Sequence, residues 1–357
     1  MKVLFANARD IIGGAAIAAY RLHKGMQENG YDSNMLVDIK ASSDDSIIGP
    51  KSKFDELKQK LRSKIDYLPQ RLQRSNDGLS RSLSFVPGPN LKKINKFDRD
   101  VVHLHWINNG FLSIEQLPKI KGPVVWTLHD MWPFCGAEHY TADNQYYKKG
   151  YASSDNLLDK WVWRRKNEVY SKIENLTIVT PSNWLAECAR ESLLLGSRRV
   201  EVIGNGIDTN FFKPKNIEEL RSKYEIPLDK KIVLFSGYKG VEDPRKGFKH
   251  LIKALRFKEK NENINDIELV IIGSDRSDEL DALNIKSHFM GMINDSNVMR
   301  DLYALSDLFV LPSKEDNLPN TVLEAMSCGT PVVAFNIGGV PDMVDHKENG
   351  YLAESFN

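Results

Sequence analysis

Short apolar runs alternate with amphipathic stretches along the whole chain, and this alternation predicts the fold class. The apolar runs are rich in β-branched residues and do not alternate with polar ones, which is typical of parallel strands covered on both faces. The predicted strands are Lys2–Asn7, Val101–His105, Pro123–His129, Leu176–Pro181, Val200–Ile203, Ile232–Gly237, Glu268–Gly273, Leu308–Pro312 and Pro331–Phe335. The predicted helices include Ile17–Gln27, Trp184–Ser192, Phe248–Leu255 and Val298–Ala304. We therefore expect an α/β protein.

The pattern breaks at Gly204–Pro214, where glycine, asparagine and proline cluster, and a new strand–helix series begins at Lys231. We expect two doubly wound, Rossmann-like domains, residues 1–207 and 208–357, that face each other across a cleft. Ligands of such sheets bind beyond the carboxyl ends of the strands. Residues that directly follow a predicted strand are therefore the first candidates for a functional site.

Composition excludes several classes of protein. The 357 residues leave room for two ordinary cores, and a net charge of +1 argues against a nucleic-acid partner. Three cysteines at spacings that fit no metal site or disulfide framework favour a reducing, cytoplasmic location, and we expect no metal or cofactor. The chain begins with a strand pattern rather than a signal peptide, and no apolar run approaches the roughly 20 residues that span a bilayer.

Glycines follow the first strand, where Gly13 and Gly14 open an alanine-rich helix. Glycine lets a phosphate approach the backbone, and the start of a helix offers unpaired N–H groups. A tight turn before a packed helix explains the same residues equally well.

Histidines end two further strands. His129 and Asp130 follow one strand and His105 and Trp106 end another, so that all four could line a cleft. A histidine there could donate a hydrogen bond or carry a proton near neutral pH, or simply cap its strand. We expect His103 to point the other way and to be structural.

Two basic residues, Arg245 and Lys246, precede Gly247 and a helix after the first strand of the second half. A lysine and an arginine suit a diphosphate, the first as a compact charge and the second as a fork of donors. The alternative is a solvated basic loop.

The segment SKEDNLPNTVLEAMSCGTPVVAFNIGG, residues 313–339, places the carboxylates Asp316 and Glu324 around a polar loop and a helix start. We expect Asn320 or Thr321 to cap the helix and Glu324 to lie in its first turn. Backbone amides at the helix start suit a phosphate, and carboxylates suit sugar hydroxyls. Glu324 could instead only stabilise the helix dipole.

In this order the motifs resemble the nucleotide-sugar glycosyltransferases of family 4, which have the GT-B architecture. The diagnostic pattern is an acidic residue, seven intervening residues and a glutamate, met here by Asp316 and Glu324. Further matches are Gly13-Gly14, His129-Asp130, Thr180–Glu187, Gly204–Asp208, Arg245–Gly247 and Phe289–Ser313. The resemblance covers nearly the whole chain.

The resemblance implies retaining transfer of a sugar from a nucleoside diphosphate, with the donor in the second domain and the acceptor in the first. It implies catalytic roles for His129, Lys246, Asp316 and Glu324, of which Glu324 would bind the ribose and Asp316 the sugar. Acceptor-side candidates are His105, Trp106 and Asp130. The implied donor-binding residues are Gly13, Gly14, Arg245, Lys246, Gly291, Ile293, Asp316, Asn317, Leu318, Asn320, Thr321 and Glu324.

Three departures from the family pattern stand out. The first acid is an aspartate, Asp316, rather than the commoner glutamate. Gly237-Tyr238 replaces the usual Gly-Arg, which leaves Arg245 or Lys239 as the second positive charge. The sequence ends soon after the glycine pair, without the helices that relatives add, and we expect the donor domain to be truncated.

A basic amphipathic pattern lies within residues 51–81, which carry nine basic and four acidic residues. Its apolar positions, at helical spacing, are Phe54, Leu57, Leu61, Ile65 and Leu68. Such a helix can lie on an anionic membrane. The alternative, which we favour from the sequence, is an ordinary helix whose apolar face packs on the first sheet.

Segments around the histidines and tryptophans look most like enzymes that build bacterial surface polysaccharides, such as capsule or O-antigen, on lipid carriers. The expected acceptor is a glycan or a lipid-linked glycan at the inner face of the cytoplasmic membrane. The alternative is a nucleotide-sugar-binding protein with little or no transfer activity. An NAD-dependent oxidoreductase is disfavoured, because no GxGxxG follows a strand with an acidic residue about 20 positions on.

Overall fold

The computed structural model describes residues 1–72, 79–141, 144–237 and 243–354, with only the backbone of Leu72. Its contacts divide the chain into two compact units, Met1–Gly206 and Ile207–Asn357.

The described part of the first unit contains a sheet of seven parallel strands in the order β3-β2-β1-β4-β5-β6-β7. Its strands are β1 (Lys2–Ala6), β2 (Asp32–Leu36), β3 (Ile47–Ile48), β4 (Val101–Leu104), β5 (Val124–Thr127), β6 (Leu176–Thr180) and β7 (Arg199–Val202). Its helices are α1 (Gly14–Glu28), α2 (Lys53–Leu72), α3 (Asn90–Lys96), α4 (Tyr146–Lys149), α5 (Leu157–Tyr170) and α6 (Asn183–Glu191), with a 3₁₀ turn at Ile114–Lys119.

The described part of the second unit contains a sheet of six parallel strands in the order β10-β9-β8-β11-β12-β13. Its strands are β8 (Lys231–Ser236), β9 (Ile267–Ile272), β10 (Ser287–Phe289), β11 (Leu308–Leu311), β12 (Val332–Phe335) and β13 (Gly350–Ala353). Its helices are α7 (Ile217–Lys223), α8 (Phe248–Asn261), α9 (Asp278–Asp281), α10 (Ser296–Leu305) and α11 (Asn320–Ser327), with 3₁₀ turns at Pro244–Lys246 and Val340–Asp342.

Both faces of the second sheet are covered by apolar clusters. Along β8, Leu234 belongs to one cluster and Phe235 to the other, because successive side chains of a strand point to opposite faces. Val270 and Ile271 divide in the same way on β9. Burial on both faces explains the unbroken apolar runs in the sequence.

Both sheets reverse their strand order at one place, between β1 and β4 in the first unit and between β8 and β11 in the second. This is the doubly wound arrangement, in which the crevice at the reversal is the preferred ligand position. The α/β prediction and all nine predicted strands are confirmed.

Four strands in the described part of the chain were not predicted from the sequence: β2, β3, β10 and β13. The sequence of β2, DSNML, starts with three polar residues, and β3 and β10 span only two and three residues. Their pairing with a neighbouring strand, rather than their own pattern, makes them strands. The last, β13, pairs with β12 and begins with a glycine.

Candidate functional site

Two loops meet at the strand-order reversal of the second sheet. One is residues 243–247 after β8, and the other is residues 312–319 after β11. The Lys314 N–H donates to the Arg245 carbonyl at 2.8 Å, and the Arg245 guanidinium donates to the Glu315 carbonyl at 2.8 Å. The predicted basic motif and the predicted acidic motif are therefore adjacent.

Gly247 makes this close approach possible. Its φ is +70°, and a Cβ added to it would lie 1.7 Å from the Pro312 carbonyl oxygen. A side chain at this position would strain the backbone and push the two loops apart.

The close approach of the two loops places Lys246 against Asp316. The Lys246 ammonium lies 2.8 Å from a carboxylate oxygen of Asp316, and the Arg245 guanidinium lies 3.6 Å from the same oxygen. Burial acts to raise the pKa of Asp316, but the charges of Lys246 and Arg245 outweigh it and lower that pKa. Asp316 is therefore a buried, ionised carboxylate beside two cations.

The glycine pair after β12 supports the backbone of Asp316. Gly338 has a φ of +54°, and an added Cβ would lie 1.9 Å from the Asp316 carbonyl oxygen. The Gly339 N–H donates to that oxygen at 3.2 Å. The two glycines thus hold the acidic loop in place. This role was not predicted, because the glycines are more than 20 residues from Asp316 in the sequence.

Glu324 lies one turn further into α11 than predicted. The residue before the helix is Pro319, no side chain caps the helix, and its first turn contains no acidic residue. The prediction that Asn320 or Thr321 caps the helix and that Glu324 lies in its first turn is therefore wrong. Proline cannot donate an N–H and takes the extended conformation that ends the loop.

Tyr303 positions Glu324. Glu324 is buried, and the Tyr303 hydroxyl, from α10, donates to its Oε2 at 3.0 Å. Stabilisation of the helix dipole does not account for this position, because that effect falls off beyond the first turn. Sequence reasoning missed Tyr303, since tyrosine on an amphipathic helix resembles any other core residue.

The other donor-site candidates lie at the same edge of the second sheet. Asn317 and Leu318 are buried, and Asn320 and Thr321 are half-buried at the start of α11. Gly291 and Ile293 follow β10 in the connection to α10. Gly291 has a φ of +60°, and its carbonyl accepts the Gly273 N–H at 2.8 Å. Tyr238 and Lys239 lie outside the described residues.

In the first unit, the glycine pair opens α1 as predicted. Gly14 is its first residue, and Gly13 precedes it with a φ of +96°. No heavy atom lies within 4 Å of a Cβ added to Gly13. There is open space beside the backbone here, in the first turn of the helix, where N–H groups have no carbonyl partner within the helix itself.

His105 and His129 form a pair at the carboxyl edge of the first sheet. His105 Nδ1 and His129 Nε2 are 2.9 Å apart, and the two rings stack at 5.2 Å. Burial lowers the pKa of His129 to about 4 and that of His105 well below its ordinary value. Both imidazoles are therefore neutral near pH 7, which suits hydrogen bonding better than proton transfer.

The prediction that His103 points away from His105 is wrong. Residues two apart on a strand share a face, and the rings of His103 and His105 lie 4.3 Å apart. His103 Nε2 lies 2.7 Å from the Thr127 hydroxyl on β5. It supports the stack of rings.

Asp130 is held in place by neighbouring groups. One of its carboxylate oxygens accepts the Trp132 N–H at 3.0 Å, and the other lies 2.6 Å from His139 Nδ1. His139 in turn stacks on Trp106. Asp130 thus organises the loop after β5, with its carboxylate oriented by His139.

Lys166 anchors the same loop from α5. Its fully buried ammonium donates to the carbonyls of Trp132, Cys135 and Gly136, and burial lowers its pKa to about 7. No sequence pattern distinguishes this lysine from the exposed ones of an amphipathic helix.

A cavity of about 500 Å³ lies at the opposite edge of the second sheet, by the amino ends of β11, β12 and β13, lined among others by Leu308, Val332 and Gly350. It is separate from the loops described above. In the described part of the chain, no group of three or more histidine, cysteine, aspartate or glutamate residues is arranged to hold a metal ion. No described helix is long and apolar enough to cross a bilayer.

Comparison with known proteins identifies the family. Residues 12–211 match the family profile described as Glycosyltransferase Family 4, and residues 216–357 match Glycosyl transferases group 1. The first match alone covers more than half of the chain. The chain belongs to glycosyltransferase family 4.

This glycosyltransferase is 24% identical over 270 residues to the UDP-Gal:alpha-D-GlcNAc-diphosphoundecaprenol alpha-1,3-galactosyltransferase of Escherichia coli, covering 74% of this chain and 64% of that one. The chain spans about a third to a half of the length of other curated relatives that it matches.

Two solved structures share its fold. Sucrose-phosphate synthase from Thermosynechococcus elongatus has a TM-score of 0.65 at 18% identity, over 100% of this chain and 87% of that one. Anabaena HepE in complex with UDP-glucose has a TM-score of 0.59 at 17% identity, over 100% of this chain and 86% of that one. The family profiles and these structures confirm the expected GT-B glycosyltransferase fold.

Proposed function

We propose that this glycosyltransferase moves a sugar from a nucleoside diphosphate to a glycan or lipid-linked acceptor, with retention of anomeric configuration, in cell-surface polysaccharide synthesis. The observation that carries the proposal is the junction of two loops at the strand-order reversal of the second sheet, where Lys246 and Arg245 converge on Asp316. We assign the donor to the second unit and the acceptor to the first.

The two cations suit the diphosphate of the donor. Lys246 is a compact charge, partly buried beside Asp316, and Arg245 adds a planar set of donors. Their pairing with Asp316 keeps them in place before the substrate arrives. Such preorganised charge stabilises the negative charge that develops on the departing diphosphate.

The two carboxylates suit hydroxyl groups. Asp316 stays ionised and can accept hydrogen bonds from the transferred sugar. Glu324, oriented by the Tyr303 hydroxyl, can accept hydrogen bonds from the paired hydroxyls of a ribose.

This division of roles between Asp316 and Glu324 leaves neither carboxylate as a covalent nucleophile. We propose same-face attack, in which the acceptor hydroxyl bonds to the anomeric carbon, the bond to the diphosphate breaks, and the donor phosphate takes the hydroxyl proton.

For the first unit we propose substrate contact by neutral His129, with His105, Trp106 and Asp130 on the acceptor side. An imidazole that stays neutral near pH 7 can donate one hydrogen bond without adding charge. The E. coli relative, whose name specifies a UDP-sugar donor and a lipid diphosphate acceptor, and HepE with UDP-glucose support this choice of substrates.

The test is turnover of a panel of UDP-, GDP-, dTDP- and ADP-sugars, with release of nucleoside diphosphate measured with and without lipid-linked acceptors. We expect one donor to be consumed, and the anomeric proton in the NMR spectrum of the product to show the configuration of the donor. An inverted product would contradict retention. Saturable binding of a donor without any consumption would favour the alternative, a nucleotide-sugar-binding protein.

A further inference from the structure

The helix α2 carries its apolar side chains on the outside of the first unit. Its five apolar positions are 43–63% exposed: Phe54, Leu57, Leu61, Ile65 and Leu68. The expectation that this face packs on the first sheet is therefore wrong. At spacings of three and four residues, these side chains form one continuous stripe along the helix.

Buried polar contacts fix this orientation. Arg62 donates to the Gly110 carbonyl at 2.6 Å and pairs with Asp38 at 2.7 Å. Asp66, which is 3% exposed, accepts backbone N–H groups. These belong to Ser84, Phe85 and Val86. Rotating the helix to bury its stripe would break these contacts and leave buried charges unpaired.

Positive charge flanks the stripe. The exposed basic side chains of the helix are Lys53, Lys58, Lys60, Lys64 and Arg71, against two exposed acidic side chains in its first turn, Asp55 and Glu56. The Lys58 ammonium lies over the Phe54 ring, 4.1 Å from its centre. A basic rim around an apolar stripe matches an anionic lipid surface in both polarity and charge.

We propose that α2 docks the first unit on an anionic lipid bilayer, lying in the plane of the interface with its apolar stripe at the boundary of the acyl chains. The lysines would then meet lipid headgroups, whereas symmetric pairing of two copies would bring the lysine rims of both close together, at a cost in repulsion. This surface goes beyond the proposed function and does not depend on it.

The test is co-sedimentation of the full chain with vesicles of phosphatidylcholine, alone or with about 30% phosphatidylglycerol. We expect binding to the anionic vesicles, weakened by salt, and at least about tenfold weaker binding to phosphatidylcholine alone. Two variants should each bind anionic vesicles about tenfold or more weakly than the wild-type chain. The apolar triple variant carries Leu57→Gln, Leu61→Gln and Ile65→Gln. The charge triple variant carries Lys58→Gln, Lys60→Gln and Lys64→Gln. Arg62 is left unchanged because it holds the helix.

The matched control is Phe257→Gln on α8, a side chain that is 72% exposed. It should bind vesicles as the wild-type chain does. Phe54→Trp supplies a second readout: the difference between its emission and that of the wild-type chain, which has six tryptophans of its own, should shift to the blue on adding anionic vesicles. Wild-type binding by both triple variants would overturn the proposal. The proposal would also be overturned if the wild-type chain bound no vesicles but formed a dimer that the apolar triple variant could not form. That result would assign the stripe to contact with a second copy of the chain.

Discussion

Replacing Lys246 by methionine should lower kcat for sugar transfer by about 10²–10³ and leave the chain folded. Among the described residues, the Lys246 ammonium is the closest cation to Asp316, and it is placed to stabilise charge on the departing diphosphate. That charge is largest in the transition state, so kcat should fall more than KM rises. The measurement is the rate of nucleoside diphosphate release at saturating donor.

The matched control is Lys249→Met, an exposed lysine three positions along the same chain segment. It should keep the activity of the wild-type enzyme, because its side chain takes no part in the junction of the two loops. Lys246→Arg should retain more of the wild-type kcat than Lys246→Met, because arginine keeps the positive charge but places it in a planar group. A Lys246→Met enzyme within about threefold of wild-type kcat would remove this lysine from the chemistry.

Gly247→Ala should destabilise the second unit by about 2–5 kcal/mol and weaken donor binding at the same time. The alanine Cβ would meet the Pro312 carbonyl oxygen at 1.7 Å, in addition to the strain of a φ of +70°. Relief requires the two loops to separate, which parts Lys246 from Asp316. Urea unfolding and donor titration of the same preparation measure the two effects.

Gly30→Ala separates strain from collision. Gly30 has a φ of +80°, but no heavy atom lies within 4 Å of an added Cβ. It should cost only about 1–2 kcal/mol and leave donor binding intact. If both alanine variants cost the same and bind donor equally, then the close approach of the loops does not matter for the site.

The central strands of each sheet and the motifs at the ends of these strands could be predicted from the sequence for two physical reasons. Strands buried on both faces need continuous apolar residues, and parallel strands collect their loops at one edge. Residues as distant as Lys246 and Asp316 could therefore be expected near each other, and the structure places them in contact. Strands such as β2 and β10 carry too few apolar residues to show this pattern.

Partners that act across long sequence separations could not be predicted. Tyr303, Lys166 and Gly338 each support a site residue or its loop from another element, and nothing in their local sequence marks them. The predicted orientation of α2 was wrong for a related reason. Its periodicity shows a stripe, but only the buried contacts of Arg62 and Asp66 decide which face turns inward.

The most direct test of the central claim is calorimetric and thermal-shift binding of UDP-, GDP-, dTDP- and ADP-sugars to the chain and to Glu324→Gln. A donor at about 100 times its Kd should add about 2.7 kcal/mol of stability, a shift of several degrees in Tm. We expect one nucleotide to produce this shift in the wild-type chain and to bind at least about tenfold more weakly to Glu324→Gln, because glutamine keeps the shape but loses the charge. Glu348→Gln, an exposed glutamate of the same unit, should bind as wild type does. No shift with any donor, or equal shifts in the wild-type chain and Glu324→Gln, would contradict a donor site at this edge of the second sheet.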